Sequence, residues 1–259
     1  MTRKHAPFSP PLIWSAVLLG ILGGFGLGAH MVFVLAFEYP IAPAFPAMIQ
    51  VHGHLQLLGW TGLFIVAVSL YKLPRLMSAR PHSRHLAFVL QLLIVGGLVI
   101  RSCSGIAIYY SPAVQLWRYG VCLGALMESG GIFLYLVIIL RALIRFKPNP
   151  AALAAAGIVP FLIVSLVGWC IYAGINAIGA LSFSSSPERL LEAHWDRLAT
   201  ESYVYLVLLP SCFAYSIGTF AIFLRLRAPS WPVALVATFY ALGTLLQLAS
   251  RAWEGADGS

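Results

Sequence analysis

Charged side chains are scarce in this chain: 9% of its 259 residues are Asp, Glu, Lys or Arg, whereas 60% are hydrophobic. A typical soluble domain carries about 25% charged residues, so the composition excludes that class and predicts a protein that lies in a bilayer. Cysteine is also scarce. The four cysteines show no C-x-x-C spacing, which excludes a disulfide framework and covalent haem attachment. We expect four buried thiols, at Cys103, Cys122, Cys170 and Cys212.

The sequence contains long apolar runs that carry very few charged residues. A membrane-crossing helix needs about 20 mainly apolar residues, and the first run is too long for the apolar part of a signal peptide. The runs predict an all-α, polytopic membrane helical bundle that forms a single transmembrane domain over residues 1–259. We expect seven spans, at approximately 11–37, 48–71, 86–109, 114–140, 151–181, 202–226 and 231–250.

Positive charge is concentrated in alternate connections between these runs. Lys and Arg occur in the N-terminal tail and after the second, fourth and sixth runs, and none of these segments holds Asp or Glu. Because cytoplasmic loops carry the excess of Lys and Arg, we expect a cytoplasmic N-terminus and a periplasmic C-terminus in a bacterial inner membrane. The net charge of +8 is then a topology signal, and the expected partner is the lipid bilayer rather than nucleic acid.

The longest periplasmic connection has the pattern of an amphipathic helix. Serines and Pro187 precede Glu188, which is a helix start signal, and apolar residues then recur at helical spacing up to Leu198. We predict a short helix over about 187–198 that lies on the outer surface and covers the site below it.

Four of the seven histidines collect at the predicted periplasmic side. His30 lies near the end of the first span, His52 and His54 lie in the first turns of the second, and His194 lies in the outer connection. A single histidine in a span often forms an interhelical hydrogen bond. Since ionisable groups within spans usually face an interior site, the group of four predicts metal or haem ligands.

His52 and His54 cannot both bind one metal ion from a regular helix, because residues two apart point about 200° away from each other. His52 shares its face with Gln56 and Gly59, which offer a supporting hydrogen bond and close approach of a flat ligand. We therefore expect His52 to be an axial haem ligand, with His30 as the other. His54 would serve a second metal or donate to a loop carbonyl.

A second ligand set stays open on the residues alone. If the helix began only after Gly53, the rings of His52 and His54 would converge on a copper or zinc ion with His30 or His194.

Glycines form two stripes in the first span. Every fourth residue from Gly20 to Gly28 is a glycine, which predicts contact with a neighbouring helix. Gly23 and Gly26 precede His30 on a second stripe, and this stripe predicts a groove for a porphyrin edge.

One arginine and one glutamate lie deep within the third and fourth spans. Charges at such depth are costly unless they are paired, and Gly120 and Gly124 on the face of Glu128 would let Arg101 approach. We expect an ion pair that fixes helix register. Functional alternatives are Arg101 as the partner of a haem propionate or another anion, and Glu128 as a proton relay or a quinone contact.

The second span also carries a family resemblance. The stretch from His52 to Trp60, HGHLQLLGW, continues through Thr-Gly-Leu-Phe and closes at Tyr71 to Arg75. It resembles the H-x-H-x-x-x-x-G helix of the NnrS family and, more distantly, the histidine-bearing second helix of haem-copper oxidase subunit I. The resemblance implies His52 and His54 as cofactor or metal ligands and Gly59 as a close-packing glycine.

NnrS proteins are haem- and copper-containing bacterial membrane proteins linked to nitric oxide, and haem-copper oxidases reduce dioxygen or nitric oxide. The resemblance therefore implies a haem, with copper as a further metal, in nitric oxide or respiratory redox metabolism. We expect the haem to be of the b type. No histidine follows His194, so we expect one haem, or one haem with one copper, rather than a full oxygen-reducing centre.

Two other function classes stay open. One is a non-catalytic accessory subunit that docks through its glycine stripes on a larger respiratory complex or on copies of itself. The other is a quinone-reactive or transport protein built around Arg101 and Glu128. The residues do not decide between a redox enzyme and a protein that only binds its ligand.

Overall fold

The computed structural model describes residues 10–76, 83–144, 157–223 and 231–256. These residues form helices and no strand, which confirms the all-α class. We number the helices in chain order and include the π-helical segments in them. Helix α1 comprises Pro10–Leu18, Leu19–Phe25 and Gly26–Ala36; α2 comprises Phe45–His54, Leu55–Gly62 and Leu63–Leu76; α3 is Arg84–Ala107; α4 is Val114–Ile144; α5 is Val159–Ser185; α6 comprises Ala193–Ser202, Tyr203–Leu208 and Leu209–Phe223; α7 is Val233–Ala256.

Six of the described helices, α1 to α5 and α7, are long and apolar enough to cross a membrane. They indicate a multi-pass membrane protein in a lipid bilayer. The sixth predicted span, over 202–226, is not among these six helices, and its residues 224–226 lie outside the described residues. A count of seven spans and the orientation of the two termini therefore stay predictions.

Helix α2 lies at the centre of the bundle. It contacts α1, α3, α4 and α6, whereas α7 packs against α5 and α6. The π-helical segments of α1 and α2 face each other, and such segments often occur where a helix carries a functional group.

The glycine stripe of α1 packs directly against α2, as predicted. Its glycines leave room for three side chains that lie four residues apart on α2. A Cβ atom added to Gly20 would lie 2.9 Å from Trp60, one added to Gly24 would lie 2.7 Å from Gln56, and one added to Gly28 would lie 2.8 Å from His52.

Helices α3 and α4 cross even more closely. A Cβ atom on Gly97 would lie 2.6 Å from the carbonyl oxygen of Gly124, and one on Gly124 would lie 2.6 Å from the carbonyl oxygen of Gly97. The two backbones are thus in contact, which places Arg101 on α3 beside Glu128 on α4.

The expectation of four buried thiols is wrong for three of them. Cys122 is buried, whereas Cys103, Cys170 and Cys212 are exposed on the bundle surface. A span that faces lipid is apolar all round, so an apolar surrounding in the sequence does not identify the inward face.

The predicted outer helix also has different bounds. Helix α6 begins at Ala193 and continues through the π-helical segment Tyr203–Leu208 without a break. Residues 186–192 form a loop, and the backbone carbonyls of Pro187, Glu188 and Leu191 accept hydrogen bonds from side chains on α4 and α2.

Candidate functional site

The centre of the site is the carboxylate of Glu128, whose side chain is 0% exposed. One of its oxygens, Oε2, accepts hydrogen bonds from three side chains: His54 Nε2 at 3.0 Å, Arg101 Nη1 at 3.1 Å and Asn176 Nδ2 at 3.0 Å. Three donors on one oxygen are the pattern of an ionised carboxylate, which only accepts. A buried charge needs this pairing, and the predicted ion pair of Arg101 with Glu128 is confirmed.

Arg101 makes its hydrogen bonds through a single nitrogen. Nη1 donates to Glu128 and to Asn176 Oδ1, and it lies 3.3 Å from His54 Nε2. Within the described residues, no hydrogen bond is made by Nε or Nη2. Arg101 also lines two neighbouring cavities, so the free edge of its guanidinium group is a donor surface for a ligand.

His54 connects this ion pair to Tyr172. Because Nε2 of His54 donates to the Glu128 carboxylate, Nε2 carries a proton. The other ring nitrogen, Nδ1, lies 3.5 Å from the Tyr172 hydroxyl, a long contact. Nδ1 is therefore available to accept a proton while Nε2 stays bound to Glu128.

The two cavities share five wall residues and form what we call the chamber: Gln50, His54, Arg101, Leu191 and Asp196. Each of the two cavities has a volume of about 50 Å³ and is partly open to the surface.

The walls of the chamber differ in chemistry. The first cavity adds apolar side chains, among them Val51, Val121 and Phe183. The second adds polar groups, among them Asn176 and Thr200. The chamber thus suits a ligand that has an apolar ring and a few hydrogen-bonding atoms.

Four charged groups lie at the chamber, and their formal charges cancel. Arg101 and Arg189 are positive, Asp196 is negative, and Glu128 is the negative partner of Arg101 behind the wall. Burial raises the pKa of Asp196, although His54 and Arg101 act in the opposite direction. Asp196 therefore takes up a proton more readily than an ordinary aspartate.

His52 and its predicted companions face α1 rather than the chamber. His52 Nδ1 donates a hydrogen bond of 2.8 Å to the carbonyl oxygen of Gly24. The amide of Gln56 lies against the same glycine, and Gly59 packs against Leu19. His52 and His54 thus point in different directions, as predicted, but His54 is the one that enters the buried polar cluster.

The four predicted histidine ligands do not meet. His30 is exposed, and His194 packs edge-on against Trp195. In the described part of the chain, no group of three or more His, Cys, Asp or Glu side chains is placed to hold a metal ion. The idea that His52 and His54 converge is wrong, because the helix already begins at Phe45.

The predicted porphyrin groove beside His30 is wrong as well. A Cβ atom on Gly23 would lie 2.6 Å from Leu55 Cδ1, so the side chain of Leu55 fills that position. Gly26 and His30 are exposed on the surface of α1.

Four site residues were missed by sequence reasoning: Gln50, Tyr172, Asn176 and Asp196. Asn176 had a usable signal, because a polar amide within an apolar span needs a hydrogen-bond partner. Tyr172 lies four residues before it on the same helix face. Gln50 and Asp196 had no such signal, since both lie near predicted membrane surfaces where polar residues are ordinary.

Comparison of the chain with models of protein families, with curated proteins and with solved structures finds no match.

Proposed function

We propose that the chamber binds the head group of a membrane quinone, and that the chain acts in respiratory redox metabolism in a bacterial inner membrane. The observation that carries this proposal is the free edge of Arg101. All of its hydrogen bonds within the described residues come from Nη1, and it lines both cavities. A quinone carbonyl accepts hydrogen bonds and a guanidinium only donates them, so the two groups are complementary.

The charges of the chamber favour a neutral ligand. Arg101 and Arg189 are balanced by Glu128 and Asp196, so a free anion gains little net attraction. The apolar first cavity, with Val121 and Phe183, suits a substituted ring. These features support a quinone over a small anion.

Protons are a second requirement of quinone chemistry, because a quinone takes up protons when it is reduced. His54 lies between the Glu128 carboxylate and the chamber, and Asp196 lies on the chamber wall. A histidine and a carboxyl group within reach of a ligand are common proton donors and acceptors. We assign this role to His54 and Asp196.

A binding titration tests the proposal. Purified protein in lipid nanodiscs is titrated with a short-chain benzoquinone by calorimetry. Arg101→Gln is expected to weaken binding about tenfold, since a hydrogen bond to a charged group is lost. Gly105→Leu fills the first cavity from its wall without touching the ion pair, and it is expected to weaken binding similarly.

The matched control is Tyr240→Phe, which removes an exposed hydroxyl that donates to the carbonyl oxygen of Tyr205, away from the chamber. Its affinity should equal that of the unmodified protein. No saturable binding, or equal affinity in Gly105→Leu and Tyr240→Phe, would reject the chamber as a quinone site.

A haem held by His52 is a second candidate, and the His52 hydrogen bond favours it. A metal-ligating histidine usually donates its other ring N–H to a carbonyl or a carboxylate. His52 Nδ1 does so to Gly24, and Nε2 has no hydrogen-bond partner among the described residues. His52 packs against Gly28, whereas His30 is exposed and lies about 200° around α1 from Gly28. His52 is therefore the residue that would hold a haem iron.

When bound, such a haem would take nitric oxide or pass an electron, in line with the resemblance to NnrS proteins; copper would be a further metal. A pyridine haemochrome spectrum and metal analysis of the purified protein test this candidate. We expect a Soret band that is lost in His52→Ala and kept in His30→Ala. Protein without haem or copper would reject it.

A further inference from the structure

The loop 186–192 forms one wall of the chamber. Its residues Arg189, Leu190 and Leu191 line the first cavity. Pro187 and Glu188 are exposed on the outside of the molecule. The loop therefore lies between part of the chamber and the surroundings.

The first half of this loop is clamped to α4. Arg118 donates from Nε and Nη2 to the carbonyl oxygen of Glu188, at 3.2 and 2.7 Å, and from Nη2 to that of Pro187. Arg118 is itself held by Gln115 Oε1 at 3.3 Å, and Gln115 Nε2 donates to the carbonyl oxygen of Ser184 at 3.0 Å. The clamp thus fixes the chain from the end of α5 to Glu188.

The second half of the loop is held by three contacts among the described residues. The Leu191 side chain packs against Ile108, Val121 and Phe183, and the carbonyl oxygen of Glu192 accepts a hydrogen bond from the Asp196 N–H at 3.2 Å. Gln50 Nε2 donates to the carbonyl oxygen of Leu191 at 2.8 Å. Because Gln50 also lines both cavities, this last contact lies at the chamber itself.

We propose that residues 189–192 are a gate for the chamber, which opens when the Gln50–Leu191 hydrogen bond breaks while Arg118 keeps the first half of the loop in place. Gln50 and Arg118 are then positioning residues that control how a ligand reaches the site. The role of the gate in ligand entry rests on the proposed quinone site. The opening of the gate is measured without any quinone, so an experiment can reject the gate and the quinone site independently.

Thiol labelling tests the gate. The four native cysteines are replaced by alanine, and Ser102→Cys places one thiol on the chamber wall, where the Ser102 hydroxyl is buried without a partner among the described residues. The rate of reaction with a charged maleimide is measured in nanodiscs. Gln50→Leu is expected to raise this rate about tenfold, since it removes one hydrogen bond that holds residues 189–192 closed. Adding Arg118→Gln to Gln50→Leu is expected to raise the rate further, because residues 184–188 are then freed as well.

The matched control is Gln91→Leu, which removes an equivalent interhelical hydrogen bond, from Gln91 Nε2 to Ser15 Oγ at 3.0 Å, away from the chamber. Its labelling rate should equal that of the Ser102→Cys parent, and all variants should melt within a few degrees of that parent. Equal rates in Gln50→Leu and the parent would overturn the gate. An equal rise in Gln91→Leu would also overturn it, because the whole bundle would then be loosened. Faster labelling without quinone binding would support the gate and reject the quinone site.

Discussion

Replacing Arg101 with Met is expected to destabilise the protein by about 3–5 kcal/mol, because the fully buried Glu128 then loses its countercharge. His54 and Asn176 still donate to Glu128 Oε2, but neither is a permanent cation. The free energy of unfolding in mild detergent measures the effect.

The double variant Arg101→Met, Glu128→Leu is the control for this prediction. Replacing both partners of a buried pair by apolar side chains is often close to neutral, so the double variant should regain most of the lost stability. A double variant that is no more stable than the single one would show that the pair is not the reason for the loss.

Replacing Gly124 with Leu is the second substitution that we expect to lower the free energy of unfolding strongly. The new Cβ atom would lie 2.6 Å from the Gly97 carbonyl oxygen and 2.7 Å from the Cβ atom of Arg101. Backbone atoms cannot move aside unless α3 and α4 separate, and separation breaks the ion pair. The loss should therefore exceed the roughly 1–3 kcal/mol that is typical of overpacking.

Gly130→Leu is the matched control, because it lies on the same helix and a Cβ atom there has nothing within 4 Å. Its effect on unfolding should stay within about 0.5 kcal/mol. Equal losses at the two glycines would contradict the close crossing of α3 and α4.

The spans and the buried ion pair follow from the sequence because they depend on one helix, or one helix pair, at a time. Hydropathy predicts the apolar helices, and the cost of buried charge predicts that Arg101 pairs with Glu128. Helical spacing also separates His52 from His54. It does not tell which of the two faces the centre of the bundle, because that depends on how α2 is turned between α1 and α4.

The same limit explains why the predicted cluster of four histidines is wrong: the sequence does not show which way a side chain faces around its helix. His30 and His52 have similar predicted depths, yet depth does not fix direction around a helix axis, and His30 lies on the exposed side of α1. The clamp of Arg118 on the loop carbonyls of Pro187 and Glu188 was equally hidden, because the sequence does not show which backbone oxygens lack partners of their own.

Photo-crosslinking with an azido-quinone in nanodiscs tests the quinone site most directly. After illumination and peptide mapping, we expect label in the chamber-lining segments 49–57 and 189–200. This label should disappear with excess unlabelled quinone and weaken in Gly105→Leu. Label confined to outward-facing residues of α7, such as Phe239 and Leu246, and unchanged by excess quinone, would show that the chamber does not bind quinone.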